Sequence, residues 1–127
     1  MFQDSQAFSS FAVKDLDAAK RFYGETLGQD VQDGPMGVLE LHLAGGTTAM
    51  VYPKPDHEPA NFTVLNFAVE DIDAAVAKLT SAGVTMEQYG REDMPQDDKG
   101  IARDPNGPAI AWFTDPSGNI IAVMKRP

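Results

Sequence analysis

Apolar and polar residues along this chain switch twice between the rhythm of a strand and the rhythm of a helix. Residues 7–13 (AFSSFAV) and 62–69 (FTVLNFAV) are short runs rich in aromatic and β-branched side chains, the signature of β-strands. After each run, apolar positions recur at helical spacing: Leu16, Ala19, Phe22, Tyr23 and Leu27 in the first case, Ile72, Ala75, Val76, Leu79 and Ala82 in the second. Asp15 and Asp71 stand where N-caps belong, and Asp17 and Asp73 add negative charge in the first turn, where the helix dipole favours it. Gly28 and Gly83 come next as C-terminal stops. The words themselves repeat: residues 11–19, FAVKDLDAA, and residues 67–75, FAVEDIDAA, agree at seven of nine positions.

The segments after the two helices also match. Residues 29–33 (QDVQD) and 84–88 (VTMEQ) are short extended segments. Residues 37–53 alternate Leu39, Leu41 and Leu43 with Glu40 and His42, turn at Gly45-Gly46 and return to Tyr52; residues 109–125 do the same around Asp115-Pro116-Ser117-Gly118. Each half therefore reads as β-α-β-β-β. The expectation is one domain over 1–127, with module one at 1–52, a Pro-rich linker at 53–61 and module two at 62–127. A half of this size has too small a core to be secure alone, so the two are expected to bury their faces together. They differ mainly at residues 89–108, which hold Gly, Pro and charges without a hydrophobic period and read as a long mobile lid.

Composition narrows the function. With 19 acidic and 10 basic residues the formal charge is −9, which repels nucleic acid and anionic membrane surfaces. There is no cysteine, so thiolate metal sites and cysteine nucleophiles are excluded. The first ten residues carry no leader-like pattern and nothing reaches transmembrane length, so the chain is expected to be soluble and cytoplasmic.

Two motifs carry a family resemblance: Val13, Asp15, Leu16, Asp17, Ala18, Ala19, Phe22, Tyr23, Leu27 and Gly28 in the first half, and Asp115, Pro116, Ser117, Gly118, Asn119 and Ile121 near the end. With paired βαβββ modules, the chain resembles the vicinal oxygen chelate superfamily of glyoxalase I, bleomycin-resistance proteins and extradiol dioxygenases. The resemblance implies an α+β fold in which eight strands form a cup-shaped sheet with helices outside and a ligand within, commonly in a homodimer. In metal-using relatives, side chains at set positions bind a divalent ion; the matching positions here are Phe8, the neighbourhood of Met50, Val64 and Ala122. None offers a donor. The expected protein is therefore a metal-independent binder of small molecules, with no cofactor and no metal.

If the family's ligand positions mark the cavity face, strand alternation places Phe8, Ser10, Met50 and Tyr52 from module one and Val64, Asn66, Ile110, Trp112, Ala122 and Met124 from module two on a lining suited to a partly aromatic ligand. Glu40 and His42, two apart on one strand face, are the candidate catalytic pair, a base and its orienter. The alternative function is thus a lactoylglutathione lyase-like or dioxygenase-like enzyme using His42 and Glu40 or a non-standard metal site. Both residues equally suit the solvated face of an edge strand, Trp112 suits a core or an interface, and a backbone carbonyl would satisfy Asn66 as well as a ligand would.

Overall fold

Asp15 and Asp71 both cap helices. Their carboxylates accept hydrogen bonds from the backbone N–H groups of Ala18 and Ala74, at 3.1 and 3.0 Å, and each sits in extended backbone before the first helical residue. The repeated phrase therefore encodes a strand, a cap and a first turn. A computed structural model describes all of residues 1–127, and the chain divides into two compact units, Met1–Glu58 and Pro59–Pro127.

The first unit runs β1 (Ser9–Val13), α1 (Leu16–Arg21), β2 (Asp30–Asp33), β3 (Leu39–His42) and β4 (Thr48–Pro53). Helix α1 continues into a π-helical turn, Phe22–Thr26, closed by the Leu27 N–H on the Phe22 carbonyl at 2.9 Å. A 3-10 turn, Pro35–Gly37, precedes β3. The sheet order is β1-β4-β3-β2, with β1 parallel to β4 and the other pairs antiparallel. Phe11, Val13, Leu39, Leu41, Ala49 and Val51 are all buried, as are Ala19 and Tyr23 of the helical segment. The ring of Tyr23 meets Phe11 with centroids 5.8 Å apart, so this face of the sheet is the one the helix covers. Each large side chain buried there stabilises the unit by about 1.5–3 kcal/mol relative to exposure. Alternation along the strands then turns Ser10, Glu40 and Met50 to the opposite face, where they stand side by side in one row.

The second unit runs β5 (Thr63–Val69), α2 (Ile72–Ser81), β6 (Ile110–Thr114) and β7 (Ile120–Lys125), in the order β5-β7-β6 with β5 parallel to β7. The α+β class and the strand–helix–hairpin order are those the sequence implies. The strand count is not: there are seven strands, in sheets of four and three, rather than eight. Residues 84–88 meet β6 through the Glu87 N–H on the Trp112 carbonyl, 2.8 Å, and build no ladder. A second departure is a register shift between Thr63 and Leu65, which leaves Val64 without a cross-strand partner and breaks the simple alternation along β5.

The long segment expected to be a lid is tied down. Gln96 donates from its amide to the Glu87 and Gly100 carbonyls, both at 2.8 Å, and accepts the Tyr89 N–H at 2.9 Å. Asp97 accepts the N–H groups of Lys99 and Ile101, both at 2.9 Å. Ala102 exchanges two backbone hydrogen bonds with Ile110, at 2.8 and 3.0 Å. Gly100, Ile101 and Ala102 are consequently buried. Polar side chains, which carry no hydrophobic period, order this stretch. No helix is long and apolar enough to cross a membrane.

Candidate functional site

The helix-free face of the first sheet carries a groove of about 730 Å³. Phe8 and Met50, from the expected lining, form part of its wall together with Pro35, Met36 and Val38, and Glu40 is present among them. Met36 is 99% exposed and Phe8 67% exposed, an unusual presentation of large apolar side chains. The backbone explains Met36: its φ of 61° lies in the left-handed region, and the Pro35–Gly37 turn holds the side chain at the groove edge. No periodicity marks such a residue, although the Gly-Pro-Met-Gly wording of residues 34–37 is a signal of a turn.

Other expected residues of this unit lie outside the groove lining. Ser10 is exposed and is the cross-strand partner of Met50; Tyr52 is half-buried opposite Ala12. His42 is exposed, with its Nε2 3.2 Å from Glu40 Oε1. The candidate catalytic pair is therefore in contact, with Glu40 at the groove and His42 beside it.

The second unit holds a smaller recess of about 490 Å³. Trp112 lines it with Phe62, Tyr89, Arg91 and Met94, an aromatic grouping supplied largely by the segment that carries no period. Ala122 is fully buried in a cluster with Trp112 and Ala102, against which Ile110 also packs. It sits under the side chains rather than in an open wall. Asn66 is exposed, in one cross-strand row with Ala122 and Trp112; Met124 is half-buried beside Ile110; Val64 is half-buried at the register shift. Arg91 is engaged with Asp93, its Nη2 2.6 Å from the carboxylate, and that contact holds the Asp93 carboxyl below its usual range.

The donor set does not fit a divalent ion. Phe8, Met50, Val64 and Ala122 carry no imidazole or carboxylate, and nowhere in the chain do three His, Asp or Glu side chains gather closely enough to share a metal. His57, in the linker with Asp56 and Glu58, has a buried Nε2 without a partner, but the neighbouring Asp56 carboxylate is taken by Lys54 at 2.9 Å.

The chain belongs to the Glyoxalase/Bleomycin resistance protein/Dioxygenase superfamily, whose family model matches residues 7–123. Among curated proteins it resembles CFP32 of Mycobacterium tuberculosis (strain CDC 1551 / Oshkosh), a glyoxylase by name, at 29% identity over 119 residues. That match takes in 87% of this chain and 41% of CFP32, so the chain spans about two-fifths of the length of the curated relatives it matches. Among solved structures it is similar to TnmS3, an antibiotic binding protein from Streptomyces sp. CB03234, with 26% identity, a TM-score of 0.68, and 96% and 97% of the two chains covered. A glyoxalase/bleomycin resistance protein from the same organism is 27% identical, with a TM-score of 0.62 and 93% and 99% coverage.

Proposed function

We propose that this protein binds a small, partly aromatic molecule without the help of a divalent metal. The observation that carries the reading is the groove of the first unit: Phe8 and Met50, at two positions where metal-using relatives would place ligands, are instead apolar wall of a space of about 730 Å³. That volume suits a drug-sized ligand, and an apolar wall interrupted by a few polar side chains, here Gln6, Glu40, Thr47 and Thr48, is the usual composition of such a site. Similarity to an antibiotic binding protein supports the same reading. The test is a thermal-shift screen of aromatic compounds, repeated after exhaustive chelation. Stabilisation that survives chelation is expected. Stabilisation that disappears with the chelator, or none with any compound, overturns the reading.

A homodimer is part of this proposal, because Phe2 and Phe62 are 74% and 64% exposed on the single chain and their burial would favour association. Light scattering at micromolar concentration decides it, a mass of 13.7 kDa being the contrary result. A second reading has support in one distance: the 3.2 Å contact of His42 with Glu40 is that of a base and its orienting carboxylate. Turnover of a bound compound, abolished in His42→Ala, would favour it.

A further inference from the structure

We propose that the groove of the first unit selects ligands bearing an ammonium group beside an aromatic plane, with Glu40 as the anionic anchor and Gly34 as the residue that seats it. The proposal rests on the binding function just given and names the chemical class that function takes. Among the residues lining the groove, Glu40 alone is ionisable; no lysine or arginine is present there. Along its cross-strand row Glu40 is flanked by Met50 and Gln32, neither of which can neutralise it. The nearest cation candidate is His42, at 3.2 Å from Oε1, and His42 in turn lies across from Asp30 on β2. Lys20, which reaches β2 from the helix, is held by Asp33 at 3.1 Å.

Gly34 explains where the carboxylate lies. Its backbone, φ −95° and ψ 178°, is open to any residue, so conformation does not require glycine here. Space is tight instead: a Cβ at this position would lie 3.1 Å from Glu40 Oε2, 3.2 Å from Glu40 Cγ and 3.0 Å from Val38 Cγ2, so these side chains would have to shift by a few tenths of an ångström. The Glu40 side chain thus rests on the bare backbone of Gly34, and its carboxylate is held at the groove. An ammonium there gains a charge-assisted hydrogen bond. Its aromatic portion meets Phe8, Met36 and Met50, two flexible thioethers and an exposed ring that can adapt to a flat ligand. A formal charge of −9 over the chain draws the same class of ligand toward the protein.

The experiment compares three probes of one shape, aminomethylanthracene, hydroxymethylanthracene and anthracenecarboxylate, by equilibrium dialysis near neutral pH and low salt. The ammonium is expected to bind about tenfold more tightly than the alcohol, and the carboxylate more weakly than either. Glu40→Gln should remove the preference, bringing the ammonium's affinity down to that of the alcohol. Gly34→Ala should lower the preference by displacing the carboxylate while the alcohol still binds, a selectivity that a general loss of folding would not produce. Glu25→Gln, on the helical side of the unit, should leave the preference intact. A preference that survives Glu40→Gln, or that falls equally in Glu25→Gln, overturns the anchor and assigns the effect to the field of the whole chain. Alcohol binding without ammonium preference overturns the inference alone. Failure of all three probes to bind overturns the binding reading with it.

Discussion

The ring of Tyr89 meets the ring of Trp112 edge-on, with centroids 5.5 Å apart and planes at 67°. Trp112 is 8% exposed and Tyr89 42%, so the tyrosine covers the tryptophan from a segment that carries no hydrophobic period. Tyr89→Ala is expected to remove about 1 kcal/mol of aromatic pairing and to shift Trp112 emission to longer wavelength. Unchanged emission would show that other groups shield Trp112. Burial, with a smaller contribution from Glu87, raises the Tyr89 hydroxyl above its ordinary pKa. Because the folded value is raised, the associated stability is present below about pH 10 and is lost as pH climbs through the folded value. Phenolate absorbance should titrate later for this residue than for an exposed tyrosine.

Gln96 joins three backbone groups of residues 87, 89 and 100, so Gln96→Ala should leave the part-buried Glu87 and Gly100 carbonyls without their donor and cost about 1–3 kcal/mol. Hydrogen exchange should quicken at Tyr89, Ile101 and Ala102. Deleting residues 92–99 is expected to destabilise the protein rather than merely open it. A deletion variant that melts at the wild-type temperature would restore the lid interpretation.

Asp97 titrates under opposing influences. Burial alone would raise it, but hydrogen bonds from the N–H groups of Ile101 and Lys99, aided by Arg103, outweigh burial and hold it below the usual carboxylate range. A depressed value means that its contribution is present above the unfolded pKa of about 4 and is lost as pH falls through the folded value. The acid limb followed by circular dichroism should therefore lose stability more steeply in wild type than in Asp97→Asn, whose amide oxygen still accepts but does not titrate. Coincident acid limbs would remove Asp97 from the transition.

Asp115 and Asn119 are both buried in the β6–β7 turn. The Asp115 carboxylate accepts the N–H groups of Ser117 and Asn119 and the Asn119 side-chain amide, at 2.8, 2.9 and 2.9 Å. Asp115→Ala should cost about 3 kcal/mol by stranding these donors, whereas Asp15→Ala or Asp71→Ala at an exposed cap should cost about 1 kcal/mol. Denaturant midpoints measure both, and an Asp115 effect no larger than a cap effect would count against the buried turn as a stability element.

Those caps and turns explain why so much of the fold is legible in the sequence. Asp15, Asp71 and Asp115 use local side-chain chemistry, and the Leu39/Leu41 against Glu40/His42 alternation is a property of neighbouring residues. The features that escape are set by contacts distant in sequence or by single irregular residues. Val64 loses its partner to a register shift, and residues 84–88 resemble a strand but gain no ladder. By contrast, Glu40 and Met50 come together at the groove because alternation is regular there, and Phe8 joins them from just before β1. Met36, Tyr89 and Arg91 enter through irregular backbone, which leaves no periodic trace.

The π-helical turn at Phe22–Thr26 has a consequence for how the two halves compare in length. The cap aspartates lie 56 residues apart, yet the closing glycines Gly28 and Gly83 lie 55 apart, so the first helical segment holds one residue more. In a regular α-helix that residue would rotate everything beyond it by about 100°. The wider turn takes it up locally. Tyr23 stays fully buried, and both helical segments still end on a glycine of positive φ, 68° at Gly28 and 91° at Gly83. An insertion absorbed where it arises is not passed on to the strands beyond it, so one copy of the module can change length while its sheet keeps its place.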